Sequence, residues 1–425
     1  MSIISGFLHR STRMMATALL GSLVPFGVSA QTLFINDATV YTMSSQSMLQ
    51  HADLLIRDGR IRSIGPGLSA PVDATVIEAG GRPVTPGFFA GITSIGLQDI
   101  PAETATVDSA LNTPALRPEF DVTLAYNPDS VLIPVTRIEG YTWTVLGANR
   151  MGSIIGGQGQ AVTLDGDYRS FLGEKLLFID IGSDASEQSG GSRAGQWMLL
   201  NQAFTEANNT EIRWTPDALL TVNGRPALAG FVSQGTVLFD VDRASDILQV
   251  LDFSRRQQIN PVIVGGAEAW KVADQLAEAG VAVLLNPLTN LPGNFDQLGA
   301  RLDNAAILNE AGVTISFHIG ESNNARKIRQ AAGNAVAGGL PWEAALAGLT
   351  RNPAAIFGLT GGVGSLEQDG VADLVIWSGD PLEVTSAADQ VIITGKVIPM
   401  ASRQTLLRDR YLPENPDMPR AYIKP

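Results

Sequence analysis

Residues 236–266 read TVLFDVDRASDILQVLDFSRRQQINPVIVGG, and this stretch decides the fold class. The short apolar runs at its two ends, TVLFDV and PVIVGG, are typical of buried strands. Between them Ile247, Leu248 and Leu251 recur at the spacing of one helix face, which predicts an amphipathic helix. A strand, a helix and a second strand in this order form a βαβ unit, whose two strands pair in parallel.

The same alternation continues to about residue 360. EAWKVADQLAEAG predicts a helix that stops at Gly280, and VAVLLN and VTISFHIG predict two further strands. The next predicted helix, which ends at Gly312, is marked by Phe295, Leu298, Leu302, Ala306 and Leu308. Repeated βα units with continuously apolar strands imply a parallel sheet covered by helices. Their number favours an eight-stranded (β/α)8 barrel, the TIM barrel, over an open sheet.

Both ends of the chain are rich in predicted strands instead. DLLIRDGRIRSIG has alternating apolar arms around Asp58-Gly59, which is a hairpin signal, and ADLVIWSGD and QVIITGKVI are strand-like runs near the C-terminus. Residues 98–235 show no clear period, and GGQGQ within them favours tight turning at the barrel rim. The Gly/Ser-rich residues 182–195 predict either a loose surface loop or a mobile lid. The proline-rich residues 413–425 predict an extended tail.

Residues 1–30 have the features of a secretory signal peptide. Arg10 and Arg13 give a basic start, residues 14–24 are apolar, and small residues precede a predicted cleavage after Ala30. An apolar run of this length is too short for a transmembrane helix, which needs roughly 20 residues. We therefore expect a periplasmic or secreted protein with no membrane anchor after cleavage.

Composition narrows the chemistry. The chain has 29 basic and 42 acidic residues, which argues against nucleic acid as a partner. It has no cysteine, so disulfides, thiol nucleophiles and thiolate ligands are excluded. Only His51 and His318 follow the predicted signal peptide, whereas catalytic zinc sites usually take three protein ligands rich in histidine.

Two motifs carry a resemblance to a known family. EAGGRPVTPGF precedes the predicted barrel, and LTRNPAAIFGLTGGVGSLEQDGVADLVIWSGDPL follows it. With these motifs the chain resembles the amidohydrolase superfamily, in particular its exported imidazolonepropionase-like branch. The resemblance implies a TIM barrel at residues 85–362 and a small β-sandwich built from residues 31–84 and 363–412. It also implies hydrolysis of C–N bonds in small amides, cyclic amides or peptides.

Such enzymes hold one or two metal ions at the carboxyl end of the barrel strands, where the metal lowers the pKa of bound water to about 7. Side chains two apart on a strand share a face, so a His-x-His pair sends both imidazoles inward. The positions that match this pair hold Ile92 and Ser94, and Ala90 replaces the preceding acid. Isoleucine cannot bind a metal, and serine is a poor neutral ligand.

The other matching positions also lack histidine. Asp240 stands where similar proteins have the fifth-strand histidine, and Gly265 stands at the sixth-strand position. The eighth-strand acid, which would take a proton from water, matches Gly320 or Glu321, since the register is open by one residue. We therefore predict that the metal centre is degenerate, with no metal and no other cofactor.

Three side chains at the predicted mouth are candidates for catalysis: His318, Glu321 and Asp240. His318 could act as general acid or base, or it could be a satisfied structural histidine. Glu321 could replace the lost acid, or it could cap the following helix. Asp240 could bind a cation or a basic ligand.

Three more side chains are candidates for substrate binding: Ser94, Asp242 and Glu268. Ser94 as a nucleophile would need a base within reach, and only His318 could serve. Asp242 could instead form a solvated pair with Arg243 at a strand end. Glu268 could instead be a first-turn helix acid.

Three hypotheses follow for the function. The first is a metal-free amidohydrolase-like protein that binds a small-molecule ligand or is a weakened hydrolase. The second is a metal-independent hydrolase that uses His318 with a carboxylate such as Glu321 or Asp240. The third is a structural or interaction protein of the cell envelope. The sequence alone leaves catalytic activity and the oligomeric state open.

Overall fold

The computed structural model describes residues 32–100, 102–149, 151–209, 216–232 and 234–411. The predicted signal peptide, residues 1–30, and the predicted extended tail, residues 413–425, lie outside the described residues, so both stay predictions. Within the described part of the chain, no helix is both long enough and apolar enough to cross a bilayer.

The described chain has a mixed α/β fold. Its strands are β1 (Leu33–Tyr41), β2 (Met48–Arg57), β3 (Arg60–Pro66), β4 (Thr75–Glu78), β5 (Pro83–Pro86), β6 (Phe88–Thr93), β7 (Tyr141–Leu146), β8 (Ile155–Thr163), β9 (Phe171–Asp180), β10 (Thr236–Val241), β11 (Asn260–Gly265), β12 (Ala282–Leu285), β13 (Ile315–Phe317), β14 (Leu374–Trp377), β15 (Ala388–Ile393) and β16 (Lys396–Val397). Its α-helices are α1 (Leu132–Arg137), α2 (Arg193–Asn208), α3 (Gly224–Ala229), α4 (Ala244–Gln257), α5 (Ala273–Glu278), α6 (Asn304–Glu310), α7 (Ile328–Ala337), α8 (Trp342–Leu349), α9 (Arg351–Ile356) and α10 (Arg403–Tyr411).

Strands from both chain ends share one sheet, in the order β16-β15-β14-β5-β1-β2-β3, with β4 paired to β1. The predicted hairpin is the antiparallel pair β2–β3, whose turn has Asp58 and Gly59 at positive φ. Buried aliphatic side chains of β1, β2, β5 and β14 form one hydrophobic cluster on this sheet. The predicted strand-like runs at both chain ends therefore form strands of one sheet, whereas the β-sandwich and its bounds, which the resemblance implies, stay predictions.

The second sheet is the barrel, in the order β13-β12-β11-β10-β9-β8-β7-β6. Strands β9 to β13 pair in parallel along the chain, with helices after β10, β11, β12 and β13. The sheet is nearly closed, since a Cβ at Gly91 of β6 would lie 3.7 Å from the carbonyl oxygen of Phe317 in β13. The predicted fold class, an α/β barrel, is confirmed.

Strand β8 departs from the (β/α)8 pattern, because it runs antiparallel to both β7 and β9. The glycine-rich GGQGQ lies within it, so this segment is a barrel strand and the expected rim turn is wrong. A Cβ at Gly159 would lie 1.9 Å from the carbonyl oxygen of Leu146, and one at Gly157 would lie 2.5 Å from that of Phe120. Glycine is thus required for the close backbone approach of β8 to its neighbours.

The barrel interior is filled by large apolar side chains. Phe89 packs on Trp143 with ring centroids 4.5 Å apart and on Phe357 at 5.6 Å. Leu238, Val262 and Leu284 belong to the same buried cluster. The interior of the barrel is therefore packed.

Two predicted local structures are corrected. The helix predicted from residue 295 covers only Asn304–Glu310, and the side chains of Phe295 and Leu298 are exposed. The start of the predicted loose loop or lid is fixed, because the buried Asp296 carboxylate accepts hydrogen bonds from Ser183 N at 2.6 Å and Ser183 Oγ at 2.7 Å. The side-chain amide of Gln196 accepts a hydrogen bond from the backbone N–H of Gly182 and donates one to the Gly182 carbonyl oxygen.

Gly159→Ala should destabilise the fold by about 1–3 kcal/mol or more, since its methyl group overlaps the Leu146 carbonyl. Gly230→Ala is the matched control, because a Cβ there meets the Ala227 carbonyl oxygen at an ordinary 3.4 Å. The measurement is the midpoint of urea unfolding for both variants. Equal midpoints would contradict the placement of β8 against β7.

Candidate ligand cavity at the barrel mouth

A cavity of about 540 Å³ lies at the carboxyl ends of the parallel barrel strands. Its walls come from the ends of β6, β7, β9, β10, β11 and β13 and from residues 320–324. Its polar lining includes Ser94, Gln98, Asn149, Asp180, Asp240, His318, Glu321, Ser322, Asn323 and Asn324. This end of a barrel is where enzymes of this architecture carry their active sites.

Four of the six predicted site residues line this cavity: Ser94, Asp240, His318 and Glu321. They come from both edges and the middle of the barrel sheet, so the fold joins residues that are up to 227 positions apart in the sequence. Asp242 and Glu268 do not line the cavity, and their carboxylates serve other contacts.

His318 directly follows β13. Its Nδ1 is buried and has no hydrogen-bond partner among the described residues. A Cβ at Gly91 would lie 3.6 Å from Nδ1, and one at Gly320 would lie 3.8 Å from Nε2, so the ring lies beside two glycines. Burial lowers the pKa of His318 from 6.5 to about 4. The imidazole is therefore neutral at pH 7, with one nitrogen available as an acceptor.

Ser94 lies just after β6 and is buried. Its Oγ donates to Gln98 Oε1 at 2.9 Å and lies 2.8 Å from Ser322 Oγ. Its backbone N–H donates to the same Ser322 Oγ at 2.7 Å. The hydroxyl is thus bonded to Gln98 and Ser322, and the Ser94–His318 pairing that a serine nucleophile would need is not among the contacts of the described residues.

Glu321 and Asp240 differ in their surroundings. Glu321 is exposed, and its Oε2 accepts a hydrogen bond from Asn324 Nδ2 at 2.5 Å. It precedes the 3₁₀ turn Ser322–Lys327 but makes no side-chain cap bond to it. Asp240 is opposite Asp180 in the β9–β10 pairing, so two acids stand side by side on the cavity wall.

Asp242 is a structural residue in this fold. Its Oδ1 accepts from Ala267 N at 3.0 Å, and its Oδ2 accepts from Gln297 Nε2 at 2.7 Å. Burial raises the pKa of Asp242, although these two hydrogen bonds act to lower it. A pair with Arg243 is not among the contacts of the described residues, and the carboxylate instead joins the loops after β11 and β12.

Glu268 is buried and joins three segments. Its Oε1 accepts from Lys271 Nζ at 2.6 Å and from Gly299 N at 2.9 Å, and its Oε2 accepts from Ala244 N at 3.2 Å. Burial acts to raise the pKa of Glu268, but the bonds from Lys271 and these backbone groups outweigh it, so the pKa is lowered. This carboxylate therefore binds the start of α4, 24 residues earlier in the sequence, and lies outside the cavity lining.

Sequence reasoning missed Gln98, Asn149 and Asp180. Asp180 ends the apolar run KLLFID, and an acid at the end of a buried strand is a signal that could have been used. Asn149 is bound to Ser109 through its backbone N–H at 2.8 Å and its Nδ2 at 3.1 Å. Nothing in the local sequence marks Gln98, which depends on its contact with Ser94.

Comparison with known proteins agrees with this architecture. Residues 311–399 match the family model described as Amidohydrolase family. The crystal structure of an amidohydrolase from Thermotoga maritima MSB8 matches with a TM-score of 0.76 at 24% identity, covering 86% of this chain and 99% of that one. This chain has the amidohydrolase fold. The predicted resemblance to the amidohydrolase superfamily is confirmed.

Two further matches are more distant or shorter. A prolidase structure with bound N-methylphosphonate-L-proline matches this amidohydrolase-fold chain at a TM-score of 0.55 and 14% identity, covering 87% of this chain and 99% of the prolidase chain. A dihydroorotase from Geotalea daltonii is 54% identical over 45 residues, which is 11% of each protein. The match thus spans about a tenth of that curated relative's length.

The residues at the mouth do not fit a catalytic zinc ion. Among the described residues, no group of three or more His, Asp or Glu side chains is placed to hold a metal. The space that a side chain at Gly265 would fill is also taken, since a Cβ there would lie 2.8 Å from Asp242 Oδ1 and 3.4 Å from Asp240 Oδ1. A side chain at this position would require the Asp242 carboxylate to move.

We expect His318 to titrate near pH 4. His51 lies on β2 with an exposed side chain, so His51→Gln leaves His318 as the single histidine after residue 30. The pH dependence of the imidazole Hε1 chemical shift then reports His318 alone. A midpoint near 6.5 would contradict a buried, neutral ring.

The lowered pKa of His318 also predicts a change of stability with pH. Because the folded-state pKa is below the unfolded value, the unfolded chain takes up the proton first as pH falls. Relative to His318→Gln, the wild type should lose about 2–3 kcal/mol between pH 7 and pH 4, since one pKa unit is 1.36 kcal/mol. Asp373 contributes equally to both proteins, so the comparison removes its effect. Burial raises the pKa of Asp373 to about 6, which makes its contribution to stability change with pH in the opposite direction.

Proposed function

We propose that this chain is a metal-free amidohydrolase-like protein that binds a small amide, cyclic amide or peptide-like molecule in the barrel-mouth cavity. The observation that carries the proposal is the set of residues at the family's ligand positions. Ile92, Ser94 and Gly265 cannot supply the imidazoles of a hydrolytic metal centre.

The cavity supports a ligand-binding role. A volume of about 540 Å³ lies within the usual range of roughly 300–1,000 Å³ for small-molecule sites. Its lining combines an apolar wall, with Ile92, Phe178, Leu238 and Val264, and the polar groups described above. This mixture suits a compact molecule that has both an apolar part and amide groups.

The family and fold support the choice of an amide. The family model that matches residues 311–399 is that of amidohydrolases. The prolidase structure, which covers 87% of this chain, holds N-methylphosphonate-L-proline, and 45 residues of this chain match a dihydroorotase. We transfer to this chain only the ligand class, small molecules with a C–N amide bond.

A metal-independent hydrolase is the second candidate, favoured by the buried and unpartnered Nδ1 of His318. In such a reaction water adds to the amide carbon while neutral His318 takes its proton. The imidazolium then protonates the amide nitrogen, the C–N bond breaks, and a carboxylic acid and an amine leave. General acid–base catalysis of this kind supplies roughly 10²–10⁴-fold, so we expect slow turnover at most.

One experiment separates these functions. Dihydrouracil, δ-valerolactam and N-acetyl-leucine amide are incubated with the protein in the presence of a chelator, and binding and hydrolysis are followed by NMR. We expect at least one probe to bind in the millimolar range or tighter without turnover. Turnover that is lost in His318→Gln and kept in His51→Gln would establish the hydrolase instead.

The absence of binding by all three probes would contradict a small-amide site. A role as a structural or interaction protein of the cell envelope would then remain. Binding that survives a bulky change in the cavity wall, such as Ala148→Phe, while that variant keeps the wild-type unfolding midpoint, would place the site elsewhere on the molecule.

A further inference from the structure

The hydrogen bonds around Ser94 form a chain with a defined direction. Ser322 Oγ accepts the backbone N–H of Ser94, and Ser94 Oγ donates its only proton to Gln98 Oε1. The contact of 2.8 Å between the two hydroxyls must therefore use the Ser322 proton. The order is Ser322 to Ser94 to Gln98, and it ends on the amide oxygen of Gln98.

This order fixes which end of the Gln98 amide faces Ser94. Because Oε1 is engaged, the Nε2 group with its two N–H donors points away from Ser94. Nε2 makes no hydrogen bond to the residues that the structure describes, and it is not among the sealed polar atoms that lack a partner. Gln98 lines the cavity, so a molecule there lies next to this residue.

The position of Ser94 in the barrel indicates what the Ser322–Ser94–Gln98 hydrogen bonds could do. The resemblance to the amidohydrolase superfamily implies that a side chain at this position holds the metal that polarises the substrate carbonyl. Here the same position holds a serine that orients an amide donor instead. A neutral N–H donor can bind a carbonyl oxygen, although it polarises it far less than a metal ion.

We propose that Gln98 Nε2 donates a hydrogen bond to the carbonyl oxygen of an amide ligand, and that Ser94 and Ser322 are positioning residues for it. The inference rests on the proposed function, since it assigns one recognition contact within that same cavity. It makes the ligand class more specific, namely a molecule with an unhindered neutral carbonyl group.

The main test compares Gln98→Glu with Asn323→Asp. The first variant keeps an oxygen toward Ser94 but replaces the donors by a negative charge, which repels a carbonyl oxygen. The second adds the same charge to an exposed residue of the same cavity without touching the Ser322–Ser94–Gln98 chain. Dissociation constants for δ-valerolactam and dihydrouracil are measured by NMR for the wild type and both variants.

We expect Gln98→Glu to weaken both probes at least ten-fold and Asn323→Asp to weaken them less than three-fold. Cyclohexane, a ring of the same size without any hydrogen-bond acceptor, should bind the wild type and Gln98→Glu equally. Gln98→Met, which removes both hydrogen-bonding ends without charge, should give a loss of about five-fold.

The positioning role has its own readout. Ser94→Ala should weaken δ-valerolactam about three- to five-fold, and Ser94→Thr, which keeps the hydroxyl, should restore the wild-type value. Urea unfolding of each variant shows whether the fold is kept. A loss in Ser94→Ala that Ser94→Thr does not restore would overturn the positioning role.

The outcomes also separate this inference from the proposed function. If the probes bind the wild type but Gln98→Glu and Asn323→Asp weaken them equally, the Gln98 contact is refuted and the ligand cavity stands. Unchanged binding in Gln98→Glu refutes the contact in the same way. If none of the probes binds the wild type, the proposed function and this inference fall together.

Discussion

The packed interior of the barrel sheet constrains everything at its mouth. Phe89, Trp143 and Phe357 pack against one another in tilted and edge-to-face contacts within the barrel, and aliphatic side chains of the other strands complete the layer. Because protein interiors pack at crystal-like density, a ligand cannot pass below this layer. The strand ends above it are therefore held in place, and the side chains that follow them meet around one cavity.

Two positions that match metal-ligand positions of the resembled family, Ser94 and Gly265, lie within local structural contacts. At Gly265 the missing side chain leaves room for the Asp242 carboxylate, which bonds Ala267 and Gln297. Ser94 forms a hydrogen-bonded chain with Ser322 and Gln98. The mouth is therefore stabilised by hydrogen bonds between its own loops.

The sequence predicted the parts of the fold that are set by local periodicity. The strands β10 to β13 are short, continuously apolar and separated by amphipathic helices or glycine stops, so their order follows from the pattern. Strand β8 was missed because IGGQGQAVT lacks apolar alternation, and its place depends on the backbone approach that Gly159 permits. The helix from residue 295 was overextended because its periodic side chains are exposed.

The site was predictable only where a residue follows a strand. Asp240 and His318 end or follow apolar runs, and both line the cavity. Asp242 and Glu268 also stand near strand ends, but long-range bonds to Gln297 and Gly299 draw their carboxylates into the loops. The role of Gln98 depends on Ser322, which is 224 residues away, and no local pattern encodes that contact.

The central claim is that the mouth of this barrel holds no hydrolytic metal ion. The most direct measurement is the metal content of purified protein by elemental analysis, before and after incubation with excess zinc and removal of free ion. The account predicts no stoichiometric zinc in either sample. One or two tightly bound zinc ions per chain, lost together with activity on treatment with a chelator, would contradict it.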